Sequence, residues 1–377
     1  MSARARPGAG GVLVSAVLLV GCGNGTAASP GGPPATEGSG AAVESAPDRD
    51  RVDLVEPAFS DPTSVTNPLF PISTLAQVIQ VGAEAGAPLR HEVTLLPRTK
   101  TIPWNGRQVE TVVSQFMGYR DGRIIEVAQD YFAQADDGSV WYFGENVDNY
   151  ENGVVVDHEG TWLAGRDGPP GMIMPAAPRV GDVYRPENIP DLVFEEVTVQ
   201  AVDERVDGPN GAVDGALLVR ERLLDGTLED KVFAPGFGEF RAEVASDDEL
   251  VTVSVAAPVQ TRASDEPRDL VAISGRAAGI LDALASPDWA RMAADVADLT
   301  AAWDRYRTRA VPPLIEEQMA AALQVLSAAV AAHKRDGSQR GATDVAQAAL
   351  DLSLQHWSAG WRHPPRGDRS HRLLHPP

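Results

Sequence analysis

Residues 123–145, RIIEVAQDYFAQADDGSVWYFGE, hold two runs of β-branched and aromatic side chains on either side of Asp136-Asp137-Gly138. Such residues suit a pleated, half-buried surface, and an Asp-Gly pair tolerates the positive φ of a tight reversal. The stretch predicts a β-hairpin. Outward from it the pattern repeats: RHEVTLL at 90–96 and QVETVVS at 108–114 read as strands, separated by Pro103 and the turn Asn105-Gly106. Downstream, 192–202, 216–224, 228–234 and 237–244 read as strands, with reversals at Asp225-Gly226 and Pro235-Gly236. Turns about every ten residues predict one antiparallel sheet that curls on itself or packs as a sandwich, over residues 51–258.

After Pro258 the apolar period changes from two to that of a helix. Leu270, Ile273, Ala277, Leu281 and Leu284 form one stripe, and Trp289, Met292, Val296, Leu299, Trp303 and Tyr306 form a second. Ser286 reads as the N-cap of that second helix, with Pro287 at its first position. Pro312-Pro313 opens a third helix through Met319, Leu323, Leu326 and Val330, and a fourth follows Asp336-Gly337. The expectation is an α+β chain: an antiparallel β-rich body, then a small helical bundle over 266–356.

The N-terminus carries a different signal. Arg4 and Arg6 precede a short apolar run, Val12 to Val20, half the length of a membrane span. Leu19-Val20-Gly21-Cys22 resembles the bacterial lipobox, which implies a signal peptide over 1–21 and acylation of Cys22. Residues 22–50 are rich in Gly, Pro, Ser and Ala and read as a disordered tether. The expected location is extracytoplasmic, with the lipid bilayer as a partner through Cys22. Cys22 is the only cysteine among 377 residues, so disulfides within the folded part and thiolate zinc sites are excluded. A formal charge of −21 opposes nucleic-acid binding.

Seven blocks in the body, NPLFP (67–71), DYFAQ (130–134), VWYFGE (140–145), GTWLAG (160–165), PGMIMP (170–175), VGDVY (180–184) and FAPGFG (233–238), lie in the order of a secreted bacterial family of unknown function. The chain resembles that family, whose blocks look like NPxFPL, DWYAQD, VWYFGE, GSWxAG, PGIxMPA, VGDxY and YAPGVG. The resemblance implies no activity. Residues 73–79, STLAQVI, lack the aromatic that many members place after the first block. The helical part resembles, weakly, helical modules of exported actinobacterial proteins, some linked to metal uptake, without their apparent carboxylate and histidine ligands.

Three features invite a site. Tyr131, Trp141, Tyr142 and Trp162, with Phe143, are candidates to face an apolar or sugar ligand, or to be core. Residues 148–159 match the length of an EF-hand calcium loop with Asp148, Gly153 and Glu159 in place, yet Tyr150 stands where a ligand belongs, and a plain hairpin is the alternative. Residues 168–175 read as an irregular loop, either a binding loop or the cover of a sheet edge. No nucleophile elbow, zinc-protease helix or phosphate loop occurs, so no catalytic residue, metal site or cofactor is expected. Residues 357–377, rich in Trp, Arg, His and Pro, read as disordered or as the product of a frameshift; a metal-binding tail is the alternative. The leading expectation is noncatalytic binding of an unknown small molecule or envelope protein. A carboxylate-dependent hydrolase and a scaffold in an envelope complex are the alternatives.

Overall fold

The computed structural model describes residues 45–259 and 266–356. The hairpin at 123–145 is present: β4 (Arg123–Gln134) pairs antiparallel with β5 (Val140–Glu151). Around it the described residues form one antiparallel sheet of fourteen strands. The strands β1 (Leu75–Glu84), β2 (Ala87–Trp104), β3 (Arg107–Arg120), β4, β5 and β6 (Val154–Asp157) run as successive hairpins. A second meander comprises β9 (Val183–Ile189), β10 (Val193–Gly208), β11 (Gly211–Leu223), β12 (Leu228–Ala234), β13 (Gly238–Val244) and β14 (Glu249–Pro258). The two meanders join where β14 pairs with β1.

The sheet stays open but curls. The short strands β7 (Trp162–Leu163) and β8 (Gly171–Met174) both pair with β5. On β8, a Cβ added to Gly171 would lie 1.8 Å from the Pro186 carbonyl oxygen of β9, so only glycine lets these strands approach so closely. This brings the β5 and β9 sides of the sheet together around a common interior. There Phe70, Phe132, Tyr142, Trp162, Met174 and Tyr184 pack.

Several sequence expectations change. The segment 168–175 is no irregular cover: Gly171 to Met174 is a fully buried strand. Pro103 does not divide two strands, because β2 continues through it to Trp104. Pro97 is tolerated because it falls in a break of the β2–β3 ladder between Leu95 and Thr99, where a missing N–H costs no ladder hydrogen bond. The turn at Asn105-Gly106 is as expected, with φ of 48° and 72°. The calcium-loop match resolves into its alternative: Asn152 and Gly153, at φ 53° and 79°, turn β5 into β6. The folded body also starts earlier than residue 51, since the Ala46 amide donates to Glu196 at 3.1 Å.

Among the described residues four α-helices follow: α1 (Arg268–Ala283), α2 (Trp289–Tyr306), α3 (Pro313–Ala331) and α4 (Arg335–Ser353). The cap of α2 is Asp288, which accepts from the Arg291 amide at 3.1 Å, and not Ser286. Asp336 and Gly337 lie inside α4; at Gly341 an added Cβ would stand 2.7 Å from Leu326 Cα, so glycine sets the α3–α4 spacing. By composition α3 is long and apolar enough to cross a membrane, yet its Ile315, Met319, Leu326 and Val330 are buried among the other helices.

The helices share a core with the sheet. Ile79, Val81, Val255 and Ala257 project from β1 and β14 into the helical cluster. Alternation then sends Val78 and Gln80 to the opposite, concave face. Arg90, paired with Val81, lies on the helix side and grips Asp351 of α4 through two bonds of 2.7 and 2.8 Å. His91, paired with Gln80, faces inward.

Candidate functional site

The concave interior is acidic. In β4, alternation puts Glu126, Ala128 and Asp130 on one face, and Asp130 stands directly opposite Glu145. A register shift beyond Asp130 brings Phe132 opposite Tyr142, so Tyr142 and Glu145 share a face although three positions apart. Gly144 makes this possible: its φ is 111°, and a Cβ there would lie 2.3 Å from the Trp162 carbonyl oxygen. The Tyr142 hydroxyl donates to Asp130 Oδ1 at 3.2 Å, and Trp162 Nε1 donates to Glu187 Oε1.

Farther round the curl, Glu187 pairs with Glu195 across β9 and β10. Beyond them Lys231 Nζ lies 2.5 Å from Glu221, 3.3 Å from Glu229 and 3.8 Å from Glu239. Burial raises the carboxyls of Glu126, Glu145, Glu187, Glu195 and Glu239 well above their ordinary range. Asp130 and Glu229 are each pushed up by burial to about 7. Burial acts to lower the Lys231 ammonium, but Glu221, Glu229 and Glu239 outweigh it and hold the charge. His91 has no protein partner at either ring nitrogen; packed 5.1 Å from the Phe116 ring, it is pushed by burial down to about 3 and is neutral. The interior thus gathers acids whose carboxyls burial raises around one lysine whose charge its neighbours hold.

The four aromatic candidates are all buried. Tyr142 and Trp162 join the acidic interior, 5.3 Å apart in an edge-to-face contact. Trp141 donates through Nε1 to Ser139 Oγ at 2.9 Å. Tyr131 lies under Lys100 Nζ at 3.9 Å and accepts from Asn146. None of the four lines the cleft described below; all are core, the alternative reading of the cluster. Cys22 and residues 357–377 lie outside the described residues. Among those described, no three His, Cys, Asp or Glu side chains are grouped to hold a metal ion.

The block residues converge at one end of the curl. Gln134 Oε1 accepts from the amides of Thr66 and Asn67, both at 2.8 Å. Asn67 in turn donates to the carbonyls of Gly138 and Pro175 at 3.0 and 3.2 Å. The Gly236 amide donates to the Pro68 carbonyl at 2.9 Å, tying FAPGFG to NPLFP. Where these two loops meet β1 and β2, an apolar cleft of about 40 Å³ opens, lined by Phe70, Ile72, Leu75, Val78, Leu95 and Phe237. Among the described residues that line it, the polar side chains are Gln80 and Glu239.

Glu239 also borders a smaller void beside Lys231 and Glu221, so it stands between the cleft and the acidic interior. Sequence reasoning missed Gln80, Glu239 and Lys231. The signal existed in residues 229–233, where alternation puts Glu229, Lys231 and Phe233 on one face. Without the curl, that face reads as solvated. Compared with protein-family profiles, curated proteins and solved structures, the chain matches none.

Proposed function

We propose that this is a lipid-anchored extracytoplasmic protein that binds an apolar small molecule in the cleft between residues 67–71 and 233–238, without catalysis. The cleft itself carries the reading: an apolar concavity with a few polar groups, braced by loops bonded to one another, is the form of a small-molecule site. Catalysis by paired acids has less support, because Asp130 and Glu145, although opposite each other, are fully enclosed and line no part of the cleft. The anchor rests on residues 19–22.

The test is native mass spectrometry of the full chain from a bacterial envelope, compared with the same preparation denatured. A discrete added mass lost on denaturation, absent from Leu95→Trp, supports binding in the cleft; a wild-type chain carrying no added mass overturns it. A second reading, as a scaffold, draws on β6, an edge strand whose Val154, Val155 and Val156 are 65%, 37% and 50% exposed. Loss of a co-purifying envelope protein from Val155→Lys, with the cleft unoccupied, would favour it.

A further inference from the structure

The β2–β3 hairpin ends on a rung that rises out of the core. Ile102 and Val109, opposite each other, are buried. One rung outward on the same face, half-buried Trp104 stands opposite exposed Arg107 across the Asn105-Gly106 turn. The segment leading into the sheet passes beside this turn. It is fixed there by the Ser60 amide, which donates to Asp136 Oδ1 at 2.7 Å, and by the Asp136 amide, which donates to the Ala58 carbonyl at 2.8 Å. Phe59 thereby meets Trp104 edge-to-face at 6.4 Å, and Asn105 Nδ2 donates to Glu56 Oε1 at 2.6 Å. Between segment and turn lies a pocket of about 50 Å³, lined by the rings of Phe59 and Trp104 and by Glu56, Asn105, Arg107 and Gln108.

Of the three tryptophans on the sheet, Trp141 and Trp162 commit their ring N–H to Ser139 and Glu187. Trp104 Nε1 has no partner among the described residues, nor does the Arg107 guanidinium, and no lysine or arginine among them stacks on the Trp104 ring. A half-open ring with a free donor, beside a carboxylate, an amide and a guanidinium, matches a pyranose, whose C–H face is apolar and whose hydroxyls both donate and accept. Glu56 and Arg107 offset each other's charge, and the formal −21 of the chain opposes an anionic polymer, so a neutral guest is favoured. We propose that this pocket binds a neutral carbohydrate, with one sugar ring against Trp104 and its hydroxyls bonded to Glu56, Asn105 and Arg107. The site is separate from the apolar cleft, with which it shares no lining residue.

The experiment is calorimetric titration at pH 7 of the full chain carrying Cys22→Ser, which needs no detergent, with maltotetraose, cellotetraose, chitotetraose and mannotetraose. At least one binds with a Kd of about 1 mM or tighter. Trp104→Ala weakens that binding about tenfold, the worth of one aromatic face, and Arg107→Ala about threefold, the worth of one exposed hydrogen bond. Leu95→Trp, in the apolar cleft, leaves it unchanged. Arg107 is exposed and unpartnered, so its variant reads the site even if Trp104→Ala fails to fold. Binding of none of the four sugars, or binding that Arg107→Ala leaves intact, overturns the proposal. Decaproline binding at Trp104 in place of the sugars overturns it too, and assigns the pocket to a proline-rich peptide.

Discussion

Replacing Asp130 with Asn isolates the energetics of the acidic interior. Burial pushes this carboxyl up to about 7 from an ordinary 3.8, while the hydrogen bond from Tyr142 acts in the opposite direction. Between those two values the folded chain holds a proton that the unfolded chain has released. Stability from this site is therefore full below about pH 4 and is lost as pH rises through 7. At about 1.4 kcal/mol per pH unit the whole loss is ~4 kcal/mol, of which ~3 kcal/mol falls between pH 5 and 9. The groups facing Asp130 are Glu126 on its own strand, Tyr142 and Glu145 on β5, and Glu187 on β9; the acids are raised by burial too, so none supplies a compensating positive charge. Asparagine keeps the acceptor that Tyr142 uses and presents an amide where the protonated acid presents its hydroxyl. Urea unfolding of wild type and Asp130→Asn, followed by tryptophan fluorescence from pH 5 to 9, should show the variant gaining ~3 kcal/mol relative to wild type across that range. A stability difference that stays constant within about 1 kcal/mol would refute a protonated Asp130 in the folded chain.

At the acid end the sign reverses. His91 is held neutral with its pKa down at about 3, so its contribution is lost as pH falls from 6.5, and His91→Phe should flatten the acid limb of a thermal-stability profile; an unchanged limb would assign it to other groups. Lys231→Met strands three enclosed carboxyls and should destabilise by about 3–5 kcal/mol at pH 8, with a smaller loss at pH 5 where Glu229, pushed up by burial to about 7, has taken up its proton; equal losses at the two pH values would contradict the charge-compensation account. Asp351→Ala removes a buried bidentate partner of Arg90 and should cost about 3–5 kcal/mol, read as faster amide exchange in α1 and α4 than in β4 and β5; uniform acceleration would show that helices and sheet open as one unit. Cys22→Ser should leave the chain without acyl mass and free of the membrane fraction; retention at the membrane with no lipid would refute the anchor.

Much of the body was legible because local chemistry and tertiary structure agree. Asn105-Gly106 and Asp136-Asp137-Gly138 reverse the chain where their side chains favour it, and the hairpin between them has the strands its alternation predicts. The helical stripes were legible for the same reason: Leu270, Ile273 and Ala277, and Met292, Val296 and Leu299, are all buried. The strands at 75–84, 183–189 and 249–258 were less visible. Interior acids such as Glu84, Glu187 and Glu249 break the apolar alternation that marks a buried strand.

The sequence by itself determined the class of the protein: a sheet of hairpins followed by helices, with turn residues and periodicity dictating each element locally. Only the tertiary structure decided what the acids are for. The curl of β5 toward β9 turns Asp130, Glu145, Glu187 and Lys231 inward, and the joining of β1 to β14 sets Gln80 beside Glu239 at the base of the cleft. Those neighbours are 159 residues apart in the chain, so their encounter depends on how the whole sheet bends, which no local pattern encodes.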